Sequence, residues 1–184
     1  MFLKNIENGL YEFTDWMLQK QYAHHVMEYS RKKGLKYYPV TFEGLLDIED
    51  EVKEYIMSKA RQDLPESQFT KHSIVSWPDD AVEIGGMLGF NGEPYEIAYA
   101  NKCELLPGWG AKVSYKVDSD KLKKGTILLI GWHTHPRIDP YISERDAENG
   151  NVFVNQVGVM QYCEIIFHPY TLKFDWYEYR KVIN

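Results

Sequence analysis

The chain of 184 residues is long enough for one domain of ordinary size with an extension, and its 44% apolar residues can supply one continuous core. Twenty-one basic against 27 acidic residues give a formal net charge of -6, and no cluster of Lys and Arg interleaves with aromatics, so a nucleic-acid surface is disfavoured. The longest strongly apolar run, Ile127 to Ile130, is far too short to span a membrane, and the opening residues lack the apolar stretch and cleavage site of a secretion signal. Cys103 and Cys163 lie far apart in strand-like segments and read as buried free thiols, which fits a soluble protein of a reducing, cytoplasmic compartment.

Apolar and aromatic residues recur at helical spacing from about Leu10 to Lys33, with Leu10, Phe13 and Met17 on one stripe and Trp16, Val26 and Met27 following. Gly34 stands where such a helix stops. His24 and His25 are ordinary positions on it, because sequence neighbours do not share a helix face. A second helix is predicted from about Gly44 to Ala60: Leu45, Ile48, Val52, Tyr55 and Ile56 share a face, acidic residues crowd the first turns as the helix dipole favours, and Pro65 ends it. From Ser67 the grammar changes to short β-branched and aromatic runs between turn residues, namely Ser73–Trp77, Tyr95–Tyr99 and Lys112–Val117. Thr126–Trp132 lacks polar alternation and predicts a central strand covered on both faces. A short polar helix follows from Ser143 to about Asn149, capped by Gly150, and Gln161–Phe167 with Leu172–Tyr177 predicts a terminal hairpin. Residues 1–66 are therefore expected to form a helical N-terminal extension, and residues 67–184 an α+β domain.

Chemistry concentrates in Gly131-Trp132-His133-Thr134-His135-Pro136 and Ser143-Glu144-Arg145-Asp146. Histidines at i and i+2 of an extended segment project to one face, so His133 and His135 can share a metal ion. A hydrolytic zinc takes three protein ligands and leaves a fourth position to water. Asp146 is the natural third, since Pro136 and Pro140 break the strand and a helix starting near Ser143 brings Asp146 back within its first turn. A base must take the proton of the attacking water and pass it to the leaving amine. The candidate is Glu83, in Ala81-Val82-Glu83-Ile84-Gly85-Gly86-Met87-Leu88-Gly89, where the glycines permit close backbone approach beside the metal strand. Ser143 can donate to the oxygen that becomes negative in the tetrahedral intermediate.

These residues resemble the JAMM metalloprotease family, also called the MPN+ or JAB domain, whose signature is a Glu upstream of His-x-His-x7-Ser-x-x-Asp; Glu83, His133, His135, Ser143 and Asp146 match it in full. The resemblance covers about residues 80 to 170. It implies a curved, mostly antiparallel sheet flanked by helices and one catalytic zinc held by His133, His135 and Asp146, with Glu83 as general acid/base and Ser143 as oxyanion donor. It also implies hydrolysis of an isopeptide or peptide bond after the C-terminal tail of ubiquitin or a ubiquitin-like protein, as in the prokaryotic JAB-type members. The N-terminal extension has no counterpart in that pattern, and Arg137–Ile142 departs from the usual small, Pro/Ser-rich spacer.

Other readings of the same residues stand beside this one. Ser143-x-x-Asp146 is also a helix-capping pattern, and Glu83 before two glycines can end an exposed element. Trp109, Trp132 and Tyr141 are candidates to line a groove for an extended tail. A zinc amidase or peptidase acting on a small or sulfur-carrier-type substrate would use identical residues, and a non-catalytic scaffold binding a ubiquitin-like protein would share the fold.

Overall fold

Alternation along the chain decides which side chains face which layer, and the strands follow it closely. The computed structural model of the chain describes residues 24–44, 47–70, 82–106, 110–135, 142–157 and 161–182. In chain order these form helix α1 (residues 24–33), β1 (Tyr37–Phe42), α2 (Glu49–Asp63), the short α3 (Ser67–Thr70), β2 (Gly85–Phe90), β3 (Pro94–Ala100), β4 (Cys103–Leu106), β5 (Gly110–Val113), β6 (Leu128–Thr134), α4 (Glu144–Val157), β7 (Gln161–His168) and β8 (Lys173–Lys181). The architecture is α+β: a mixed six-stranded sheet in the order β1-β8-β7-β6-β2-β3, flanked by helices, with β4 and β5 as a separate two-stranded ladder. Within the sheet, β6 and β7 run parallel, joined through α4 as a β-α-β crossover, and the other described pairings are antiparallel.

One face of the sheet is apolar. Ile84 and Leu88, then Leu128, Ile130 and Trp132, then Cys163, Ile165 and Phe167, meet Ile48, Val52, Ile56, Ala60 and Leu64 on and beside α2. Trp132 is 1% exposed, stacks on Tyr99 and takes an edge contact from Tyr55, so its ring packs in this core, while the residue also borders the cleft lined by Glu83 and His133. Trp109 and Tyr141 lie outside the described residues, as do Ser73–Trp77 and everything before residue 24.

The opposite face is unusual for a sheet interior, since it carries His133, Glu164, His168, Asp175 and Tyr179 among apolar residues such as Met87, Leu129 and Ile166. Helices α1 and α4 cover part of it. Val26 of α1 is buried with Ile142, Ala147, Ile166 and Tyr177, while Tyr29 donates to Glu148 and His25 lies 2.8 Å from Glu144.

Several expectations change. Residues 1–66 are not purely helical, because Tyr37–Phe42 pairs with Trp176–Lys181 as the edge strand β1, and α2 shares the main core, so the division at residue 66 is not a packing boundary. Pro39 suits that edge, where a missing N–H costs no central ladder bond. The strand expected over Lys112–Val117 ends at Val113 with the β4–β5 ladder. Gly150 is no cap: α4 runs through it to Val157. A Cβ there would lie 1.9 Å from Tyr179 Cζ, so glycine is required by the approach of a ring from β8. The central strand β6, the terminal β7–β8 hairpin and the stop at Gly34 agree with the sequence. Cys163 is a buried free thiol, whereas Cys103 is half-buried. Among the described residues no helix is long and apolar enough to cross a membrane.

Candidate functional site

Strand β6 presents His133 to the polar face and delivers His135 just past its end. The backbone is held extended there by two donors: Thr134 N–H to the Ile84 carbonyl at 2.9 Å and His135 N–H to the Phe167 carbonyl at 3.0 Å. The i, i+2 relation therefore survives, and the two Nε2 atoms stand 2.9 Å apart.

Asp146 arrives from the first turn of α4. Its backbone N–H donates to Ser143 Oγ at 3.1 Å, and its Oδ2 accepts from the Ser143 N–H at 2.8 Å and from the Ser143 hydroxyl at 2.6 Å. This is a reciprocal helix cap, so the capping reading of the pair describes what the side chains do. The cap also aims the carboxylate, because the same Oδ2 lies 3.5 Å from His133 Nε2 and 4.0 Å from His135 Nε2. Ser143→Ala should cost about 1 kcal/mol of stability through the lost cap, measurable as a lower urea midpoint at constant slope.

His133 is backed by a buried acid, and His135 by a buried histidine that is itself paired with one. Glu164 on β7 sets Oε1 3.2 Å from His133 Nδ1, and its Oε2 accepts from the Tyr179 hydroxyl at 2.8 Å. The His168 ring packs edge-on against His135 at 5.8 Å between centroids, and its Nε2 is 2.9 Å from Asp175 Oδ2. The sequence reading assigned no role to Glu164 or His168. An acid set between Cys163 and Ile165 in an apolar strand was the available signal, since carboxylates are rarely buried without partners.

Glu83 precedes β2 in the register where Gly85 pairs with His133. A Cβ on Gly85 would lie 2.7 Å from the Trp132 carbonyl oxygen, so glycine is what lets the two strands approach at this point. Ile84 is buried in the apolar core, and alternation turns Glu83 to the opposite side, the side of His133. The two residues line one cleft of about 450 Å³ together with Tyr115, Arg145, Asp146, Phe153 and Glu164. All five residues singled out by the sequence are described; His133, His135, Ser143 and Asp146 form one contact group, and Glu83 shares the cleft with two of them.

Electrostatics follow from this packing. Burial opposes charge on Asp146, yet His133, His135 and the Ser143 hydroxyl outweigh it and hold the carboxyl well below the usual carboxylate range. Burial likewise opposes the imidazolium of His133, but Asp146 and Glu164 raise it well above the ordinary value. Glu164 is pushed up by burial, against His133 and Tyr179, which favour its charged form.

His133, His135 and Asp146 can each offer one ligand atom, and these lie within 4.8 Å of one another. A tetrahedral ion with ligands at about 2.0–2.1 Å spaces them roughly 3.3 Å apart. The observed separations of 2.9, 3.5 and 4.0 Å bracket that spacing, so the donor set fits a small divalent cation with small side-chain adjustments. Compared with protein-family models, with curated proteins and with solved structures, the chain finds no match.

Proposed function

We propose that the chain is a zinc-dependent isopeptidase or peptidase that hydrolyses the bond following a ubiquitin-like C-terminal tail. The observation that carries this reading is the convergence of two imidazole Nε2 atoms and one carboxylate oxygen at mutual distances of 2.9 to 4.0 Å, with Glu83 lining the adjoining cleft. His133, His135 and Asp146 would hold one zinc ion. Bound there, zinc supplies Lewis acidity, lowering the pKa of water and polarising a carbonyl.

The remaining steps belong to the chain. Glu83 accepts a proton from the attacking water and delivers it to the leaving amine nitrogen, which departs neutral. The Ser143 hydroxyl exchanges Asp146 for the carbonyl oxygen as negative charge develops there. Asp146 keeps the Ser143 backbone N–H throughout, so its orientation does not depend on the hydroxyl. The cleft of about 450 Å³ suits an extended tail of a few residues.

The same volume also suits a small amide, such as a sulfur-carrier adduct, and this second reading uses identical chemistry. One experiment separates them: incubate the zinc-loaded protein with ubiquitin-like fusions, branched conjugates and small adducts, and read the products by mass. Cleavage directly after the tail, stopped by a chelator and restored by one equivalent of zinc, is expected. Full zinc loading with no cleavage across the panel would overturn the hydrolase reading and favour a scaffold that only binds such tails.

A further inference from the structure

Glu164 is a carboxylate placed in the interior of a strand whose neighbours are Tyr162, Cys163, Ile165, Ile166 and Phe167. Burying an acid is unfavourable unless both oxygens find partners. One oxygen faces His133 Nδ1 at 3.2 Å, and the other accepts from the Tyr179 hydroxyl at 2.8 Å. A neutral imidazole carries a single proton on one of its two nitrogens, and the hydrogen bond made by one nitrogen decides what the other can do. Both ring nitrogens of His133 face a carboxylate, but Glu164 is the nearer, at 3.2 Å from Nδ1 against 3.5 Å from Nε2 to Asp146 Oδ2. That Asp146 oxygen already accepts from the Ser143 N–H and hydroxyl, so the proton of the neutral ring is favoured at Nδ1, with the Nε2 lone pair on the side of His135 and Asp146.

Tyr179 extends the arrangement into α4. Its hydroxyl lies 3.1 Å from the Asp146 carbonyl, and its ring occupies the space that a side chain on Gly150 would fill. Strand β7, which supports His133, and helix α4, which carries Asp146, are thereby fixed to each other through one ring of β8.

We propose that Glu164 is a positioning residue that fixes His133 as the Nδ1–H tautomer and so keeps Nε2 open to a metal ion, with Tyr179 as the strut that holds Glu164 in place. The inference rests on the reading of His133, His135 and Asp146 as a metal centre. Glu164→Gln preserves it in part, because an amide oxygen can still accept from Nδ1–H while the amide N–H₂ faces the Tyr179 oxygen. Glu164→Ala removes the acceptor altogether.

Two measurements on the full chain test this: zinc affinity by competition with a chromophoric chelator, and the His133 tautomer by imidazole nitrogen NMR in zinc-free protein at a pH where the ring is neutral. Glu164→Ala should weaken zinc binding about 10–100-fold and abolish the single Nδ1–H tautomer. Glu164→Gln should restore most of the affinity, and Tyr179→Phe should fall between it and Glu164→Ala. A wild-type His133 protonated on Nε2, a Glu164→Ala protein with unchanged affinity and tautomer, or a Glu164→Gln protein as weak as Glu164→Ala would each overturn the proposal. If Glu164→Ala does not fold, the wild-type tautomer and Tyr179→Phe decide it. A wild type that takes up no zinc defeats the metal reading, and the tautomer still decides what Glu164 does.

Discussion

Glu83→Gln should reduce turnover by about 10²–10⁴-fold while leaving zinc affinity nearly unchanged. Gln is isosteric and remains polar, so the cleft keeps its shape, but an amide cannot take a proton from water near neutral pH. The loss corresponds to about 3–5 kcal/mol on the barrier, at 1.36 kcal/mol for each tenfold change. The separation from metal binding follows from placement: Glu83 precedes β2, while the three candidate ligand atoms come from β6, the residue just after it and α4. Parallel determination of kcat, KM and zinc affinity in the variant is the check. An undiminished kcat would remove Glu83 as the proton carrier, and a collapse of zinc affinity would recast it as part of the metal centre.

Gly150→Ala should destabilise the protein by about 1–3 kcal/mol, because adding a methyl to a filled interior forces its neighbours aside. The sign is not obvious from the helix alone. Ala exceeds Gly by about 1 kcal/mol in a helix interior, so an exposed Gly150 would make the change favourable. The packing decides otherwise: the new Cβ would lie 1.9 Å from Tyr179 Cζ and 2.0 Å from its hydroxyl oxygen, closer than any non-bonded contact permits. Relief requires the ring to move, and movement breaks its 2.8 Å hydrogen bond to Glu164. A double-mutant cycle makes the origin measurable. In a Tyr179→Ala background the clash is gone, so Gly150→Ala should become neutral or stabilising. A Gly150→Ala protein as stable as the parent, by urea denaturation, would show that Tyr179 does not constrain this helix.

The candidate metal ligands were legible because each rests on a short-range rule. The His-x-His pair needs only the two-residue period of an extended chain, and Ser143 with Asp146 needs only a helix start, so neither depends on tertiary packing. Central strand β6 was legible for the same reason, from an apolar run between turn residues. Features set by distant neighbours were not. Gly150 looks like a cap because its sequence contains nothing of Tyr179, which arrives from β8. The parallel pairing of β7 with β6 sets Glu164 beside Gly131, from where its carboxylate reaches His133 two residues along the neighbouring strand, a relation that no local pattern encodes. Strand β1 is absent from the sequence reading although Tyr37-Tyr38-Pro39-Val40-Thr41-Phe42 is rich in aromatic and β-branched residues, and its place is set by pairing with Trp176–Lys181 at the far end of the chain.

The β6–α4–β7 crossover also bears on the order in which the site assembles. His133, His135 and Asp146 lie within one short stretch of chain, so closing that loop costs little conformational entropy. Glu83 reaches them only after β2 has annealed to β6 across the whole of β3, β4 and β5, a contact of much greater sequence separation. Because the Ile84 carbonyl next to Glu83 also holds the Thr134 N–H between the two histidines, one pairing completes both the candidate metal strand and the proton carrier, so a refolding chain is expected to gain metal affinity and turnover together. Ion uptake and the onset of hydrolysis would then mark a single stage of folding.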